Sequence, residues 1–222
     1  MDYSIFKKSL LKKLSNYFKT EGYRTGELPQ TFIKSNDKYI DTIIIGIGHD
    51  KRSSLFRIKI SGIRKILAIE SIWEIYDNKD LNSNVTIGTN LSANDSTIEI
   101  NPDTEGIVDI VFEKMLKIHK SLILVKLAYY SDYSRLNDIA NVPIDNVNIK
   151  PIASAGLWYR KLILAHLTGD KNFEELYKYS FDLFKNLLSK EPNNVEKQKT
   201  LIILENIYND LKNQSSGNNN IE

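Results

Sequence analysis

The chain has 222 residues, a formal net charge of +2, 41% hydrophobic and 26% charged residues, and no cysteine. That length and balance suit one large globular domain or two small ones, with enough chain to bury a core. The near-neutral charge makes no demand for nucleic acid or an anionic membrane. The absence of cysteine excludes disulfides, thiolate metal sites and thiol nucleophiles.

The apolar run from Ile43 to Ile47 falls far short of the roughly 18 to 20 residues of a membrane span. The opening MDYSIFKKSL lacks the apolar core of a signal peptide. Neither a lipidation motif nor a polybasic cluster beside an apolar stretch is evident. A cytoplasmic protein is expected.

Phe6, Leu10, Leu14, Tyr17 and Phe18 recur at helical spacing, with Lys7, Lys8, Lys12, Lys13 and Lys19 on the other faces. They predict an amphipathic helix that Gly22 ends in a left-handed conformation. Strands follow at Thr31 to Ser35 and Tyr39 to Gly48, joined by the turn pair Asn36-Asp37. Gly46 and Gly48 leave room for a bulge or a close neighbour. A polar loop is expected at His49 to Ser53. Beyond it Phe56, Ile58 and Ile60 alternate with Arg57 and Lys59 as a half-exposed strand, completing an antiparallel meander.

Residues 63–76 fit a helical stripe through Ile66, Ile69, Trp73 and Tyr76, although their isoleucine content also favours strand. Helix is the expectation. A second hairpin is predicted from Val85 to Leu91 and Ser96 to Ile100, around Ser92 to Asp95. Pro102-Asp103-Thr104-Glu105 then opens a helix running past residue 120. A shorter helix at 131–140 and a linker at 141–151 follow. Helices at about 154–168, 172–189 and 195–213 complete the chain, before a low-complexity tail at 215–222 that is expected to be disordered.

The fold class is therefore α+β: an antiparallel sheet of about five strands packed against helices, with an all-helical C-terminal half. The expected organisation is a sheet domain at 1–141, a helical subdomain at 152–214 packed on it, and the tail.

Charge is uneven along the chain. Residues 1–62 hold twelve Lys and Arg against six Asp and Glu, whereas residues 70–113 hold ten acids against Lys79. Mutual neutralisation within the fold and an acidic face for a basic partner both account for this. The partner-binding candidates are Glu70, Glu74, Asp77 and Asp80, with Trp73 and Tyr76 as aromatic anchors. A metal-dependent hydrolase acting on phosphodiesters is the alternative. It would draw Mg²⁺ ligands from Glu99, Asp103 and Asp109, although turn chemistry and helix electrostatics explain the same acids.

His49, His119 and His166 lack the paired spacing of a metal site. Gly46-Ile47-Gly48 is not a dinucleotide fingerprint, because a loop and a strand follow it and not a helix. Basic and aromatic residues do not alternate as a nucleic-acid platform requires. No cofactor is expected, and the expected partner is another protein.

A helix ending in Gly22-Tyr23 is followed by Phe32, the strand at 40–48 and Phe56-Arg57-Ile58-Lys59-Ile60. Then come Thr86-Ile87-Gly88-Thr89-Asn90-Leu91 and the helix from Asp103. In this order the chain resembles the bacterial DUF4304-type domains over residues 3–141. That group has no established biochemical activity. Similar small α+β proteins stand as immunity partners beside bacterial toxins, so the resemblance implies an immunity or regulatory role; the charge bias and the missing catalytic motifs point to a non-enzymatic one. Leu162, Ala165, Gly169 and Tyr177 resemble a tetratricopeptide-like hairpin, but one unit is too few for an array, and a helical cap is preferred.

Overall fold

The computed structural model describes residues 1–28, 30–76, 86–89, 91–145, 152 and 156–217. The fold is α+β, with a six-stranded antiparallel sheet and a helical C-terminal half. Two compact units share the chain: residues 1–65 with 87–129, and residues 66–86 with 130–222. The helices at 67–74 and 133–141 therefore cluster with the C-terminal helices, while the sequence grouping had placed them with the sheet.

In the first unit, helix α1 (Tyr3–Thr20) is capped by the Asp2 carboxylate, which accepts from the Ser4 and Ile5 amides. Its end matches the sequence expectation: Gly22 has φ 84°, and the Tyr23 amide donates across it to the Phe18 carbonyl at 2.8 Å. Phe6, Leu10, Leu14 and Phe18 are spaced by four residues and form one fully buried stripe. They pack on the inward residues of the sheet, among them Phe32, Ile43, Ile45, Phe56, Ile58 and Ile60.

The short β1 (Arg24–Thr25) pairs with β2 (Thr31–Ser35), which pairs with β3 (Tyr39–Asp50), and β3 pairs with β4 (Leu55–Ile66). Between β2 and β3 the Asn36 side chain accepts from the Lys38 and Tyr39 amides, as its turn role requires. The polar loop expected at 49–53 is shorter. Strand β3 continues through His49 and Asp50: His49 stacks on Tyr3 and meets Phe56 edge-on, and the Asp50 carboxylate caps the turn by accepting from the Arg52 amide.

Residues 63–76 combine both readings: β4 runs to Ile66, and helix α2 (Leu67–Glu74) follows. Among the described residues the predicted hairpin at 85–100 does not form. β5 (Ile87–Gly88) and β6 (Thr97–Ile100) each pair with β4, at Ile63–Arg64 and Phe56–Lys59 respectively. A helical turn, α3 (Ala93–Ser96), separates them, held by the Asp95 and Ser96 amides donating to the Ser92 carbonyl.

Helix α4 (Ile107–Ile118) starts later than Pro102 to Glu105 suggested, after Gly106 at φ 66°. Residues 102–106 form turns, with the Asn101 side chain accepting from the Asp103 amide. A π-helical segment, His119–Ile123, joins α4 to α5 (Leu124–Tyr129). Ile107, Val111 and Met115 seal the same core as α1. Arg64 on β4 grips Asp41 on β3 with two bonds of 2.6 and 2.7 Å, stacks on Tyr39 at 3.6 Å and donates to the Leu127 carbonyl.

The second unit holds α2 with α6 (Tyr133–Asn141), α7 (Leu157–Leu167), α8 (Phe173–Lys190) and α9 (Val195–Gly217). α7 is buried on nearly every face, including Arg160 and Lys161. The Lys161 ammonium donates to the Ile144 carbonyl at 2.6 Å and sits over the Trp158 ring. Burial lowers its pKa to about 8. α9 runs four residues past the expected end at 213 and takes in residues 215–217; the rest of the expected tail lies outside the described residues. Among the described residues no helix is long and apolar enough to cross a membrane.

Candidate binding face

Alternation along a strand puts Gly46, Gly48 and Asp50 on the side of β3 opposite the buried Ile43 and Ile45. On β4 the outward residues are Arg57 and Lys59, and on β6 they are Thr97 and Glu99. Lys59 pairs with Thr97, and Arg57 with Glu99. Gly46 lies beside Lys59, and Gly48 beside Arg57. Gly46, Arg57, Lys59 and Glu99 are all exposed. The middle of this face therefore has no β3 side chains, and peptide backbone floors a trough bordered by cations.

Arg57 is held in place. Its Nε and one terminal nitrogen reach Glu99 Oε1 at 2.7 and 2.6 Å, and the same terminal nitrogen lies 3.4 Å from Asp50 Oδ2. The Arg52 amide, bonded to Asp50, is the main cause holding that carboxyl below its ordinary pKa; Ser53 and Arg57 act in the same direction. Gly48, His49, Asp50, Arg52 and Arg57 line an open concavity of about 420 Å³ at the hairpin end. Its inner wall is braced by Tyr3, whose hydroxyl donates to the Ile47 carbonyl at 2.7 Å. Among the described residues, neither the Arg52 guanidinium nor the Lys59 ammonium has an ion-pair partner. Three cations thus face two carboxylates, and two of the cations are uncommitted.

Two of the residues nominated as an acidic partner surface, Glu70 and Trp73, lie in the interior. Glu70 is 0% exposed and Trp73 4%, both inside the second unit. The Glu70 carboxylate takes Arg160 at 2.6 and 2.8 Å and the Thr86 hydroxyl at 2.6 Å, while the guanidinium stacks on Trp73 at 4.1 Å. A carboxylate this deep is stable only when paired, so Glu70 and Trp73 are interior residues and not partner contacts. Glu74 is half-buried, and the half-buried Tyr76 donates to Asp210. Asp77 and Asp80 lie outside the described residues.

The alternative metal set is likewise dispersed. Glu99 pairs with Arg57, Asp109 with Lys13, and Asp103 lies 3.8 Å from the N-terminal ammonium. Among the described residues no three His, Asp or Glu side chains come together as a metal site.

Arg52, Arg57 and Lys59 were not singled out from the sequence. The available signal was the coincidence of two glycines and two cations on the same strand parity. It becomes visible only when β3 and β4 are aligned. No protein-family model, no curated protein and no solved structure matches the chain.

Proposed function

We propose that this chain is a cytoplasmic, non-enzymatic protein-binding module of the immunity or regulatory kind that its likeness to DUF4304-type domains implies. The observation supporting this reading is the exposed outward face of the β3–β4–β6 sheet, with backbone at its centre and uncommitted cations at its border. Two ion pairs serve the fold: Asp41 with Arg64 and Glu70 with Arg160 are buried, one in each unit. The role of the acidic stretch 70–113 accordingly shifts from partner contact toward internal neutralisation. The test is co-purification of the chain with the product of the adjacent gene, followed by size-exclusion chromatography. A stable complex is expected; two separate peaks at micromolar concentrations would refute the reading.

A further inference from the structure

We propose that the glycine-floored face of β3 and β4, from Ile44 to the Arg52 turn, docks an extended acidic segment of a partner protein. The inference rests on the protein-binding reading and adds the chemistry of the partner and the place it occupies.

The two glycines carry the argument. Neither has a positive φ, so the backbone makes no call for glycine at either position. A Cβ added to Gly46 would lie 3.7 Å from Lys59 Cβ, and one added to Gly48 would lie 3.8 Å from the Arg57 carbonyl oxygen, both ordinary contacts. Gly62 in the adjoining strand differs: a Cβ there would come within 2.5 Å of Ile123 Cγ2, so internal packing requires glycine. Glycine inside a strand weakens it, and its positional meaning is often close approach of another backbone. At Gly46 and Gly48 the space for that approach lies on the outward side of the sheet.

The border of the trough selects the occupant. Lys59 and Arg52 carry positive charge without a partner among the described residues, and Arg57 is fixed by Glu99 and Asp50. Separated carboxylates on an extended peptide can address these cations, with guanidinium groups giving forked bonds. Glu99 and Asp50 meanwhile stand ready to accept from peptide amides. A phosphodiester chain has no backbone amides to offer Glu99 and Asp50, so it would meet both carboxylates uncompensated. Ile44, 37% exposed, supplies an apolar step at one end. From Ile44 to Asp50 the floor is about 20 Å long at ~3.3 Å per residue, room for about six extended residues.

The test is titration of the isotope-labelled full chain with hexaglutamate peptide at low salt, followed by NMR. Hexalysine, a single-stranded oligonucleotide and inorganic phosphate serve as parallel probes. The expected result is movement of the Gly46 and Gly48 amide signals with hexaglutamate alone. Affinity should fall about tenfold when Arg52→Glu and Lys59→Glu are combined, and also fall in Gly48→Val, with circular dichroism unchanged. Shifts confined to other residues, an equal response to phosphate or oligonucleotide, or unaltered affinity in the charge-reversed variant would overturn the proposal. So would an equally stable complex of that variant with the neighbour-encoded protein, a result that leaves the protein-binding reading standing. If wild type forms no such complex yet binds hexaglutamate at this face, the reading fails and the site does not.

Discussion

His119 should make the first unit labile to acid well above the range in which carboxylates titrate. Its side chain is fully buried in the π-helical segment, ringed edge-on by Tyr17, Phe18 and Tyr23. Nδ1 lies 2.9 Å from the Tyr17 hydroxyl, and Nε2 has no hydrogen-bond partner in the described structure. Burial first, then Lys120 and Lys34, lowers its pKa from 6.5 to about 4. Because the folded pKa is the lower one, the unfolded chain binds more protons between these two values. Stability is full above about pH 6.5, declines as pH falls, and levels off below about pH 4. At ~1.4 kcal/mol per unit the complete loss is about 3 kcal/mol, and roughly 2 kcal/mol of it falls between about pH 7 and pH 5. Urea unfolding followed by far-UV circular dichroism at several pH values measures it, in wild type and in His119→Phe. Burial lowers the His166 pKa too, so the difference between the two proteins isolates His119. The wild-type curve should fall relative to that of His119→Phe as pH drops. Curves that stay parallel from about pH 7 to pH 5 would refute the argument.

Three further outcomes follow from the packing. Glu70→Gln should cost about 3 kcal/mol or more, because it leaves the buried Arg160 charge uncompensated; Glu70→Leu combined with Arg160→Met should recover much of the loss in a thermal melt. Gly62→Ala should lower stability by about 1–3 kcal/mol in urea, since its Cβ would meet Ile123 Cγ2 and Thr89, and Ile123→Leu, which lacks that γ-methyl, should relieve part of the loss. Gly46→Ala should leave the melting temperature unchanged or raise it, because space and backbone conformation both admit the methyl group; a drop comparable to that of Gly62→Ala would remove the argument for an outward role of this glycine.

Much of the layout was legible before any coordinates. The helix ending at Gly22, strand β2, the Asn36 turn and the meander were all readable because their signals are local: a period of four, a turn side chain, a period of two. The failures share a cause. The hairpin at 85–100 had two plausible strands and a turn-rich middle, yet both strands found better pairing on the long β4 than on each other. The helix start at Pro102 to Glu105 had suitable end residues, but Asn101 organised them as a turn. Glu70 and Trp73 sit on a helix in an acidic stretch, and sequence offers no sign that Arg160, ninety residues away, meets both.

Residue order alone encodes an α+β chain with a meander near its start, helices in its second half, and charge segregated along its length. Short-range periodicity and turn chemistry encode those features. What the charges are for emerges from the packing. Asp41 and Glu70 are drawn into the interior because an arginine, from the neighbouring strand for one and from a distant helix for the other, meets each there. Arg52 and Lys59 stay at the surface with no ion-pair partner among the described residues, beside two glycines whose missing side chains open the floor between them. Pairing is a property of distance in space, and distance in space is what linear order does not carry.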